Sequence, residues 1–188
     1  MNLINQKMRP LYDFLENTSD KDRYSLAVIT KSGFGKAPDT LCNHIHFLRT
    51  GHLSQFFGFK RSYKQVATDV ADEVRIDWES CLNGRSWHEL PEEDIENAIV
   101  KEMYGTCLDT LTQSDREKLL KISQLDEDIL LRVPYCVFMA QLGPVGWAAL
   151  FGHMTYWVFE ATKWPELVAG ICYISYIRHK KENETASD

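Results

Sequence analysis

The chain has 188 residues, of which 44% are hydrophobic and 26% charged, and its formal net charge is −6. That length suffices for one substantial core, and the composition excludes a disordered, collagen-like or disulfide-scaffold chain. An acidic pI near 5.5 argues against a nucleic-acid partner, whose phosphates demand an excess of Lys and Arg.

The first fifteen residues place Lys7, Arg9 and Asp13 between short apolar groups, unlike the continuous apolar stretch of a secretory signal. Ser19, with Asp22 three positions on, is a helix-capping pattern and predicts a helix near 20–30. The turn signal Lys31-Ser-Gly-Phe-Gly35 follows, then a predicted helix over 37–49 that ends at Thr50-Gly51. Tyr63, Val66, Ala67, Val70, Ala71, Val74 and Trp78 recur at helical spacing and predict an amphipathic helix over 62–77. Asn83-Gly84 marks a turn. Pro91 opens another helix with Glu92, Glu93 and Asp94 at the positive end of its dipole and Ile95, Ala98, Ile99 and Met103 as its stripe. Thr112 with Asp115 predicts a helix over 113–123, and Asp126 opens a sixth. Nowhere does two-residue alternation run between hairpin turns, so the fold class is all-α.

The last third differs from the rest. Val133 to Phe159 contains no Asp, Glu, Lys or Arg, and after Glu160, Lys163 and Glu166 the charge-free character resumes over Leu167–Ile177. Length alone suggests a membrane span. Leu142-Gly-Pro-Val-Gly146 divides the run, however, and leaves Val145–Phe159 too short to cross about 30 Å of hydrocarbon at about 1.5 Å per residue. Two readings stay open: helices buried at the centre of a bundle, or a short helical hairpin that inserts into or lies on a membrane. Arg178, His179, Lys180 and Lys181 would then anchor it to anionic headgroups, or else stabilise a helix C-terminus. The expected architecture is a single domain, 1–188. It comprises an amphipathic helical part about 1–132, an apolar helical hairpin about 133–178 and a polar tail 179–188.

Chemistry-bearing residues are sparse. Cys42, His44 and His46 are of metal-ligand type, and on a helix Cys42 and His46 share a face while His44 points elsewhere. No second spaced pair completes the set, and ordinary histidines on a half-buried helix are the plainer account. The acidic groups Asp69, Asp72, Glu73 and Glu92, Glu93, Asp94, Glu96 fall on faces read as solvated, where nothing separates their pKa values for acid–base work. Nucleophile elbows, phosphate loops and dinucleotide fingerprints are missing, and no cofactor is implied. Phe56, Phe57, Phe59 and Tyr63 beside Lys60 and Arg61 could stack bases, but Tyr63 belongs to a buried stripe and core packing is the better reading. Trp147, Phe151, Tyr156, Trp157 and Trp164 are of the type found both in helical cores and at interfaces or membrane surfaces. The five cysteines, Cys42, Cys81, Cys107, Cys136 and Cys172, are odd in number and include no CxxC pair, which reads as a reduced, cytosolic-type chain.

His52-Leu-Ser-Gln-Phe-Phe-Gly-Phe-Lys-Arg-Ser-Tyr-Lys-Gln-Val-Ala-Thr-Asp-Val70, the acidic helix Glu92–Leu111 with Leu119-Leu120, and Leu142-Gly-Pro-Val-Gly-Trp-Ala-Ala-Leu150 together resemble the YaaW-type bacterial proteins, which are grouped with ubiquinol–cytochrome c chaperone-like domains. Gly58, Tyr63, Asp69, Gly143, Pro144 and Gly146 carry the likeness best, over roughly residues 50–150. The resemblance implies a helical domain without enzymatic activity that binds a protein partner or a membrane, and it supplies no catalytic residues. The expected function is a chaperone-like or partner-binding interaction protein of open oligomeric state. The alternatives are a membrane-inserting, pore-forming or toxin-like effector and a metal-dependent enzyme built on Cys42, His44 and His46.

Overall fold

A computed structural model of the chain describes residues 6–33, 35–56, 61–79, 86–110 and 164–185. Every regular element among these residues is helical: α1 (Arg9–Glu16), α2 (Asp20–Ile29), α3 (Pro38–Phe56), α4 (Tyr63–Glu73), α5 (Glu92–Thr110) and α6 (Pro165–Thr185), with single 3₁₀ turns at Gln6–Met8 and Trp87–Glu89. The expected all-α class holds among the described residues. The predicted helix over 113–123, the one opening at Asp126, the Gly143-Pro144 turn and the first arm of the expected hairpin lie outside them.

α1 is a helix that the capping signals do not announce. Pro10 occupies its first turn, and Met8, Leu11 and Leu15 fix it to the core. α2 starts as predicted, with the Ser19 hydroxyl accepting from the Asp22 N–H at 3.1 Å. It ends where Lys31 turns into the left-handed region at φ 54°. There the Lys31 N–H donates to the Val28 carbonyl at 3.1 Å and the Ser32 N–H to the Ala27 carbonyl at 2.8 Å, closing the last turn in a Schellman motif.

α3 runs beyond its expected end, to Phe56, yet the Thr50-Gly51 signal is real. Gly51 sits at φ 70°, ψ 178°, a conformation that residues with a Cβ avoid, so two helical segments meet there at a kink. α4 begins in a reciprocal capping box between Ser62 and Gln65. It stops at Glu73 rather than 77 because Arg75 adopts φ 62°. The Ile76 N–H then donates to the Ala71 carbonyl at 3.1 Å, which turns the buried Ile76 side chain back into the core. Tyr63, Val66, Ala67, Val70 and Ala71 are fully buried, as their spacing predicts, while Val74 and Trp78 lie at the margin.

The centre of the assembly is α6, which packs against α2, α3, α4 and α5. Residues 167–175 are buried without interruption, so this helix has no solvated face over more than two turns. Its close approach to α2 depends on Gly170, where a Cβ would stand 2.6 Å from Thr30 Cγ2. The second charge-free run is therefore a core helix of the bundle, and no helix among the described residues is long and apolar enough to cross a membrane. The expected polar tail from 179 is corrected over its first part: α6 continues to Thr185 because its cations find partners on neighbouring helices.

Candidate functional site

The most concentrated chemistry lies where α4, α5 and α6 meet. α5 is enclosed on two sides. Ile95 and Ile99 form one buried row, and Glu96, Val100 and Met103, spaced four and three apart, form a second. Glu96 thus enters the interior with an exposure of 0%. This corrects the expectation that Glu92, Glu93, Asp94 and Glu96 line a solvated edge.

The buried carboxylate is fully engaged. Tyr63 Oη donates to Glu96 Oε1 at 2.9 Å, and Arg178 Nε lies 3.2 Å from Oε1 and 3.0 Å from Oε2. The other two guanidinium nitrogens face Glu92 at 3.6 Å and Glu93 at 3.7 Å. On its other side the guanidinium lies 4.3 Å from the centroid of the Phe14 ring, a cation–π contact that also keeps water out. Burial pushes the Glu96 carboxyl up to about 7, against the opposing pull of Arg178 and of the Tyr63 hydroxyl. Burial and then the Glu96 charge push Tyr63 well up, and burial raises Glu92 despite Arg178 and Lys64.

Arg178 is one of four consecutive polar residues that ring the end of α6. His179 Nε2 lies 2.8 Å from Asn97 Oδ1, which also accepts from Ser175 Oγ at 2.9 Å. Lys180 pairs with the buried Asp22 at 2.9 Å, and Lys181 donates to the Asn17 carbonyl at 2.6 Å. Burial opposes ionisation of Asp22, but the bonds from Ser19 and Lys180 outweigh it and hold the carboxyl below its ordinary value. The cations read as possible headgroup anchors are thus directed at α1, α2 and α5.

The remaining sequence candidates separate. Asp69 sits between Arg49, at 2.7 Å, and Arg61, and the Arg49 guanidinium stacks 4.4 Å above the ring centroid of the half-buried Trp164. Tyr63, Asp69 and Trp164 therefore all serve polar joints between helices. Cys42 is buried, and desolvation first, with Asp39 and Asp13 adding to it, pushes its thiol to about 12. His44 Nε2 lies 2.7 Å from the Thr30 carbonyl, and His46 Nε2 accepts from the Arg61 N–H at 3.3 Å. Among the described residues no three His, Cys, Asp or Glu side chains group as a metal set, so Cys42, His44 and His46 do not converge there. Gly58, Gly143, Pro144, Gly146, Trp147, Phe151, Tyr156 and Trp157 lie outside the described residues.

The Glu96 cluster was missed because a carboxylate beside Glu92, Glu93 and Asp94 looks like more helix-dipole charge. Its spacing to Val100 and Met103 was the available signal. Enclosed by Tyr63, Arg178 and the apolar rows, the Glu96 carboxylate has no exposed surface. No protein-family model matches the chain, and no curated protein or solved structure is significantly similar to it.

Proposed function

We propose that this chain is a non-enzymatic helical interaction protein of YaaW type, whose bundle presents the first charge-free run to a protein partner. The observation that carries the reading is that run itself, Val133–Phe159, with Trp147, Phe151, Tyr156 and Trp157 in one uncharged segment. Large aromatic side chains at this density are suited to burying apolar surface against another protein. Two features of the bundle support it. The second charge-free run is already committed to the core as α6, and the buried Glu96 carboxylate is enclosed by Tyr63 and Arg178.

The test is to compare the full-length protein with a variant carrying Trp147→Ser, Phe151→Ser, Tyr156→Ser and Trp157→Ser. Cross-linking and co-purification from the native host should give defined partner bands that the variant loses. Equal bands from both proteins would contradict the reading. Flotation of the wild-type protein with liposomes, accompanied by dye leakage, would replace it with the membrane-inserting one.

A further inference from the structure

We propose that the junction of α5 and α6 is a proton-responsive clasp, in which uptake of one proton by the buried carboxylate group around Arg178 tightens the hold of α6 in the bundle. The geometry sets up an imbalance of charge. One guanidinium faces three carboxylates from the first two turns of α5, Glu96 at 3.0 Å, Glu92 at 3.6 Å and Glu93 at 3.7 Å. With all three ionised the group carries surplus negative charge, and the innermost member has no contact with water. Protonating that member removes the negative charge that has no access to water and halves the surplus, leaving Arg178 facing the two outer carboxylates, which still reach solvent and tolerate ionisation.

The surroundings offer little other compensation. From α4, Tyr63 donates a neutral hydroxyl to Glu96, while the Lys64 charge acts on Glu92. From α6, the buried Cys172 is held neutral by desolvation and by Glu96 itself, and His179 turns to Asn97 and Glu182. From α1 comes only the uncharged Phe14 ring. Burial accordingly lifts Glu96 to about 7, above its value in an unfolded chain. Between those two values the folded protein holds a proton that the unfolded chain has released. Stability is therefore highest in mild acid and falls as pH rises through neutrality, the reverse of the usual effect of a salt-bridged carboxylate.

Thermal unfolding of the full-length protein from pH 5 to pH 8 tests this, in parallel with Glu96→Gln, which mimics the protonated side chain. The wild-type midpoint should drop by on the order of 5–10 °C over that range. The variant should match wild type at pH 5, lose most of the pH dependence and unfold later than wild type at pH 8. A variant less stable than wild type by the same amount at every pH, or a flat wild-type profile, would overturn the proposal. Infrared difference spectroscopy gives a readout independent of stability. A protonated-carboxyl C=O band should persist to near neutral pH in wild type and be missing in Glu96→Gln, and a wild-type protein without that band above pH 5 would also overturn it.

Discussion

The two ends of α6 hold the same helix by different physics. Over Leu167–Ile177 the helix is charge-free and largely buried, so it gains stability chiefly in proportion to the area removed from water, with little dependence on pH or on which neighbour covers it. Over Arg178–Lys181 each side chain reaches a different acceptor, on α5, α2 or the end of α1. Those bonds require particular partners at particular distances, so they fix the rotation and the register that apolar burial leaves loose. The difference teaches that a charge-free run and the basic cluster following it need not mean a membrane segment with its anchor.

Substitutions at the two ends should separate these contributions. Arg178→Ala removes the only guanidinium facing Glu92, Glu93 and Glu96 among the described residues and should lose about 3–5 kcal/mol in urea titrations, with the loss shrinking in mild acid as Glu96 takes up a proton. Ile174→Ala, at a fully buried position, should lose about 2–5 kcal/mol, the same at pH 5 and pH 8. Gly170→Ala should lose about 1–2 kcal/mol, because the new methyl meets Thr30 Cγ2 in a contact that cannot relax freely. Lys180→Met should lose about 1 kcal/mol at neutral pH. Asp22 is held below its ordinary value by Ser19 and Lys180, so its contribution is present above the unfolded value and disappears as pH falls through the folded one. Asp22 and Glu96 thus respond to acid with opposite sign, which denaturation profiles of Lys180→Met and Glu96→Gln would display. Smallest, and away from α6, Arg75→Gly should gain about 1 kcal/mol by relieving the left-handed backbone at φ 62°.

Much of the scaffold was legible beforehand, because apolar spacing and capping residues are local signals. The stripe of α4, the Ser19 cap of α2 and the break at Gly51 could all be read from neighbours within a few positions. The end of α4 is harder to read, since Arg75 in the left-handed region leaves no glycine to mark the stop. The candidate site was largely illegible. Tyr63, Glu96 and Arg178 come from three helices, and no single stretch of sequence reveals that they share one buried group. Glu96 in particular reads as solvated because it follows the exposed Glu93 and Asp94, although its spacing to Val100 and Met103 places it on an inward row.

With Leu167–Ile177 assigned to the core, the functional claim rests on the other charge-free run doing something different. The most direct measurement is the thermal unfolding of the full-length protein carrying Trp147→Ser, Phe151→Ser, Tyr156→Ser and Trp157→Ser, set beside Ile174→Ala. The account predicts that the fourfold variant unfolds within a few degrees of wild type while Ile174→Ala is strongly destabilised. A fourfold variant that loses as much stability as Ile174→Ala, or more, would place those aromatics in the core of the bundle and contradict the assignment of a partner-binding surface to them.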